Sequence, residues 1–164
     1  MTHPEGCVYA AMTVFDNGMA QGDNRLVMDV TLAVLADYAN TSKEGKLNIL
    51  GVFSEINPPF LPWNLPQMYV VVSMEAQPSE AGIEMPFSTL LWDGDGKEIL
   101  SIEQKITVPQ PSRPGAHTTI NNIIALAGVP FNKPGEYAFY IRVAGEQKRQ
   151  IAFRVHEPAK GPAT

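Results

Sequence analysis

The feature that most constrains this chain lies near its C-terminus, where the side chains alternate with a period of two. After Pro134-Gly135, Tyr137, Phe139, Ile141 and Val143 alternate with Ala138, Tyr140 and Arg142. After Ala144-Gly145-Glu146, Ile151, Phe153 and Val155 alternate with Gln150, Ala152 and Arg154. A period of two belongs to strands, and a Gly-containing break between two such runs makes a hairpin with one buried face. Arg149 falls on the inward parity of the second run, which puts the register near the turn in question.

The same signals recur upstream. Val30, Leu32, Val34 and Ala36 share one face of a run that ends in the polar loop Asn40–Gly45, and Leu47–Ile56 is rich in β formers. The two read as neighbouring antiparallel strands. Asn57–Gln67 carries Pro58, Pro59, Pro62 and Pro66, which cannot donate ladder hydrogen bonds, so this segment reads as a connection or an edge. Met68–Met74 and Ile83–Trp92 are further strands. Asp93-Gly94-Asp95-Gly96 is the strongest tight-turn signal, because Gly supplies the positive φ that hairpin turns require, and Glu98–Val108 is the partner strand. Thr118–Gly128 is another apolar run.

About eight strands at spacings of roughly ten to fifteen residues, without a convincing helix-period segment, predict an all-β, two-sheet β-sandwich. An immunoglobulin-like topology is favoured, with a jelly roll or partly open barrel as the alternative. The 14 prolines and 13 glycines agree with many turns between short elements. The 164 residues suit one domain, expected at 26–156. Residues 1–25 read as a leader, either a flexible arm or one extra strand over Val8–Phe15, and 157–164 as a frayed tail.

Several blocks resemble one known family. Leu35-Ala36-Asp37-Tyr38-Ala39-Asn40, Gly45-Lys46-Leu47-Asn48-Ile49-Leu50-Gly51-Val52-Phe53, Pro66-Gln67-Met68-Tyr69 and Pro134-Gly135-Glu136-Tyr137 are similar to the recurring blocks of an uncharacterised bacterial domain family, DUF6941. The likeness runs from about residue 30 to 155, and Gly45–Phe53 is its most specific part. The resemblance implies a compact β domain from bacteria or their mobile elements. It implies no activity, cofactor or catalytic residue.

Composition narrows the partners. Seventeen acidic against twelve basic residues give a formal charge of -5, which argues against nucleic acid and anionic membrane as partners. No apolar run approaches the ~18 residues of a membrane-spanning helix, and no signal peptide is legible, so a cytoplasmic location and no membrane insertion are expected. The single Cys7 forms no internal disulfide and has no nearby base.

His3, His117 and His156 lack the short spacing of a metal site. Asp93, Asp95 and Glu98 imitate the start of a calcium loop, but the twelve-residue ligand series is missing, and a hairpin turn is the better reading. Asp37 and Glu55 each close a strand and could imitate an acid/base pair; strand ends favour acidic residues for geometric reasons alone. No nucleophile elbow or phosphate-cradling loop is present. The sequence therefore names no catalytic residue, metal or cofactor, and an enzyme with a dispersed site stays open.

Binding to a protein partner, or self-association, is the favoured class. The first candidate surface is Phe60, Leu61, Trp63 and Leu65, aromatic and apolar anchors on backbone stiffened by proline; the competing reading has them capping the core. The second is Tyr140, Arg142, Lys148 and Arg154 on the outer face of the terminal hairpin, suited to an acidic partner or, against the whole-chain charge, to a single-stranded nucleic acid; the competing reading is a solvated strand face. An exposed sheet edge is a third route to self-pairing. A small-molecule or glycan-binding sandwich is the alternative, and it requires Trp63, Trp92 and Tyr69 to converge on one open surface.

Overall fold

The computed structural model describes residues 28–160, so the expected leader, with Cys7 and His3, lies outside the described residues. The strands are β1 (Asp29–Thr41), β2 (Leu47–Phe53), β3 (Glu55–Ile56), β4 (Trp63–Ala76), β5 (Glu84–Asp93), β6 (Glu98–Thr107), β7 (Thr118–Phe131), β8 (Gly135–Val143) and β9 (Glu146–Val155). A 3-10 turn at Pro78–Glu80 separates β4 from β5. A four-stranded sheet of order β2-β1-β4-β7 packs on a five-stranded sheet of order β3-β9-β8-β5-β6. Only the hairpins β1-β2, β5-β6 and β8-β9 stay within a sheet; every other connection crosses the sandwich. The fold is all-β and immunoglobulin-like, with no closed barrel.

There is one strand more than the spacing predicts, because Leu47–Ile56 divides at Ser54. β2 remains antiparallel to β1, whereas β3 crosses to pair parallel with β9 through Glu55↔Arg154 and Ile56↔Val155. The Arg154 N–H donates to the Ser54 carbonyl and the His156 N–H to the Ile56 carbonyl, each at 2.9 Å.

The proline-rich connection is also shorter than expected, since β4 already begins at Trp63. Pro66 is tolerated inside this strand because β1 pairs with β4 only as far as Ala36↔Tyr69, leaving β7 as β4's sole neighbour beyond that point among the described residues. Inside the sheet, Met68–Met74 is buried without interruption. Its even-numbered apolar residues enter the inter-sheet core. Tyr69 and Val71 instead join a second cluster with Ala39, Val34, Leu47, Ile49 and Ile123. A strand covered on both faces reads as a continuous apolar run rather than an alternation.

The second cluster arises from a change of face within the β1-β2 ribbon. Leu35 and Phe53 point to the main core, while Ala39 and Ile49, of the same parity, belong to the outer cluster. The switch falls at the Asp37 and Gly51 pair. Gly51 has φ +68°, and a Cβ there would fall on the Asp37 carboxylate. A matching switch occurs in the β4-β7 ribbon at Pro66 and Gly128 (φ +67°): Leu126 and Met68 face the core on one side, Val129 and Leu65 on the other.

The terminal hairpin forms as the alternation predicts, with Tyr137↔Phe153 and Phe139↔Ile151, and its register shifts between Ile141 and Arg142. Arg149 resolves its inward parity by leaving through the sandwich edge, where its Nε donates to the Val30 carbonyl at 3.0 Å. Phe87, Phe131, Phe139 and Phe153 are fully buried. Burying a side chain of this kind stabilises the fold by roughly 1.5–3 kcal/mol. Phe131 meets Tyr137 edge-on at 5.1 Å, and Phe139 stacks on Phe153 at 5.8 Å.

Candidate functional site

Of the first candidate surface, Leu61, Trp63 and Leu65 are half-buried and pack against the main core, and Phe60 stands out at 60% exposure. Trp63 and Leu65 line a hollow of about 230 Å³ with Asp37, Phe53, Glu55, Ile56, Asn57 and Gln67. The fold thus brings Asp37 and Glu55 to one hollow, where Glu55 holds His156 at 3.2 Å. Among the described residues no group of three or more His, Cys, Asp or Glu is placed to hold a metal ion.

Trp63, Trp92 and Tyr69 do not converge. Trp63 packs toward the core at one end of β4, and Tyr69 lies in the outer cluster of the first sheet with Tyr38 edge-on at 5.5 Å. Trp92 stands on the outer face of the second sheet, its ring tilted against Tyr140 at 5.2 Å. The shared aromatic platform that a glycan site requires is absent among these residues.

The second candidate surface is larger than the terminal hairpin alone. β5 alternates Phe87, Thr89 and Leu91 inward with Ser88, Leu90 and Trp92 outward, and β8 places Ala138, Tyr140 and Arg142 beside them. Register pairs Trp92 with Ala138, and Ala138 with Ala152 on β9. Two opposed alanines leave a depression beside the Trp92–Tyr140 rings, a hollow of about 470 Å³ that Gln150 also lines. The Trp92 Nε1 is buried and has no acceptor among the described residues.

Four residues along β5, about 13 Å away at strand rise, a second hollow of about 500 Å³ is lined by Ser88, Glu103, Gln104, Lys105 and Arg142. Lys105 is held by Glu84 at 2.8 Å, which raises its pKa, the side-chain hydrogen bond being the main cause. Arg142 makes no ion pair among the described residues. Lys148 contacts Glu146 at 3.1 Å, and Arg154 pairs with Glu136. Arg142 is therefore the cation of this set that stays available, and Trp92 and Leu90 are the contributors sequence reasoning left out. They sit on β5, distant in sequence from the hairpin, and only the β5-β8 pairing brings them to it.

The carboxylates of Asp93 and Asp95 hold protein groups instead of a metal. Asp93 Oδ1 accepts the N–H of Asp95 at 3.0 Å and of Lys97 at 2.9 Å, and Lys133 pairs with both acids. The Lys97 N–H bond is the main cause that holds the Asp93 pKa below its usual value, against an opposing contribution from burial. The Asp95 hydrogen bond is the main cause that raises Lys133.

A family model described as a family of unknown function (DUF6941) matches residues 31–156. No curated protein matches the chain. Among solved structures, an immunoglobulin-like protein from Pseudomonas aeruginosa is similar at 14% identity and TM-score 0.37, over 79% of this chain and 96% of that one. The alkylpurine DNA glycosylase AlkC of Pseudomonas fluorescens, bound to DNA with an abasic site analog, is similar at 10% identity and TM-score 0.42. That match covers 79% of this chain but 30% of the glycosylase. A beta-glucosidase from Listeria innocua is similar at 11% identity and TM-score 0.39, over 75% of this chain and 16% of the enzyme.

Proposed function

We propose, from the premise that this chain belongs to DUF6941, a family of unknown function, that it is a protein-interaction domain. Its outer β9-β8-β5-β6 face takes an extended, acidic segment of a partner polypeptide. The observation that carries this reading is the pairing of an aromatic hollow, Trp92 and Tyr140 beside Ala138 and Ala152, with a second hollow lined by Arg142, which makes no ion pair among the described residues. Residues four apart on an extended segment are about 13 Å apart and share a face. One apolar side chain then fills the alanine depression while a carboxylate four positions away meets Arg142. Buried aromatics and arginine are the side chains that most often dominate binding energy at interfaces. In this reading Leu61, Trp63 and Leu65 cap the core.

The test uses synthetic extended peptides with Leu or Phe at one position and Glu four residues away, titrated against the full chain by Trp fluorescence and calorimetry. Tyr140→Ala and Arg142→Glu are each expected to weaken binding at least about tenfold. Added salt should weaken the wild type and leave the Arg142→Glu variant little changed. Phe60→Ala should bind as the wild type does. Absence of binding across the peptide set, or binding indifferent to both substitutions, would overturn the reading.

A further inference from the structure

We infer that a second copy of this chain pairs with the first along β2, antiparallel, joining the two four-stranded sheets across a two-fold axis. This surface belongs to the first sheet and is separate from the face proposed above.

Four strands end the two sheets, and they differ in what they offer. β3 is two residues long, and β6 carries Glu98, Glu103 and Lys105, so brevity and charge blunt both edges of the second sheet. In the first sheet, β7 carries no charge, yet none of its large apolar side chains is exposed. It is also tied at its edge to the opposite sheet, where the Asn122 Nδ2 donates to Gln104 Oε1 at 3.0 Å.

β2 lacks all of these protections. Its sequence, Leu47–Phe53, has no charged residue and no proline, and among the described residues β1 is its only neighbour. Leu50 and Val52 are 68% and 61% exposed, and Tyr38, opposite Leu50 on β1, is 48% exposed. Among the described residues the exposed large apolar side chains are these three and Phe60. Three of the four therefore flank an edge that is unpaired among the described residues, Leu50 opposite Tyr38 on one face of the ribbon and Val52, across the switch at Gly51, on the other; exposed apolar side chains beside a free edge template strand addition.

Charge selects the partner and the direction. Lys43 and Lys46 precede β2, with Glu44 holding Lys46 at 2.7 Å, and Glu55 follows it. Antiparallel pairing centred on Leu50 sets Leu50 against its own copy and Leu47 against Phe53, which brings the Lys43–Lys46 end of each strand beside the bend at Ser54 of the other, where the chain passes into β3 with Glu55, 64% exposed at its side chain and in contact with His156. Parallel pairing brings like ends together. A strand with opposite charges at its two ends is thus complementary to itself when reversed, as a two-fold interface requires.

The test is the mass of the full chain by light scattering during size-exclusion chromatography, over about 1–100 µM. The wild type is expected at twice the 17.9 kDa chain mass at the upper end of the series. Leu50→Lys with Val52→Lys is expected at one chain mass, with its far-UV circular dichroism retained. A charge series avoids any packing change: Lys43→Glu with Lys46→Glu should weaken the dimer, and adding Glu55→Lys should restore it. Three results would overturn the proposal. They are a wild type of one chain mass throughout, a dimer indifferent to both variant sets, and assemblies larger than two chains. In the first case, slowed amide exchange at Leu47–Leu50 would place another segment of the same chain on this edge.

Discussion

The Glu80 carboxylate is 4% exposed and survives there because its two oxygens take different backbone donors. Oε1 accepts the Met28 N–H at 3.0 Å, and Oε2 accepts the Gln77 N–H at 2.7 Å. Leaving a buried donor unpaired costs about 1–3 kcal/mol, far more than a satisfied bond contributes net. Glu80→Ala is therefore expected to destabilise the chain by at least about 2 kcal/mol. That corresponds to a fall of roughly 6 °C in melting temperature. Glu80→Gln keeps one oxygen acceptor and should lose less. Equal losses in thermal unfolding would show that the residue acts through packing alone. In the sequence Glu80 is one polar residue between Pro78 and Gly82. Its burial is not legible there, because one of its partners lies 52 residues away.

At the scale of elements, legibility follows the distance over which each signal acts. The hairpins at Asp93–Gly96 and Ala144–Glu146 depend on residues in the turn itself, and both form as read. The β1-β2 pairing is equally local. The face switches at Asp37/Gly51 and Pro66/Gly128 are not legible in the sequence, because each is a property of two paired strands and Pro66 falls in a segment that reads as a connection. Trp92 likewise reads as one strand residue until the sheet order sets it against Tyr140. The first switch can be tested by a double-mutant cycle. Gly51→Ala must adopt φ +68° and meet the Asp37 carboxylate, so a loss of at least about 1 kcal/mol is expected. Asp37→Ala in the same chain should recover the steric part and leave the backbone part. Strict additivity in chemical denaturation would rule out the contact as a cause.

Across the whole molecule, Lys133 in the β7-β8 connection ties itself to the β5-β6 turn through Asp93 and Asp95, linking the sheets at one end. Because the folded pKa of Asp93 is lowered, its contribution is complete above the unfolded value of about 3.9 and disappears as pH falls through the folded one. Because that of Lys133 is raised, its contribution is complete below about 10.4 and disappears as pH rises through the folded value. Melting temperature measured across pH should thus decline at both extremes. Asp93→Asn should flatten the acid limb and Lys133→Met the alkaline limb; a wild-type profile unchanged in both variants would remove this cluster from the pH response. The two-sheet class was legible because many short alternating runs leave few other architectures. The connection between sheets was not, because it is built from pairs far apart in the chain.

The parallel pairing of β3 with β9 sets an order on synthesis. Residues 55–56 wait for 154–155, and the Val30 carbonyl waits for Arg149. Until the last strand leaves the ribosome, β8 has an open side and β3 has no sheet to join. A nascent chain at that stage shows its partners an edge that the finished protein conceals, and the final strand of the domain is the one that ends its exposure to misassembly.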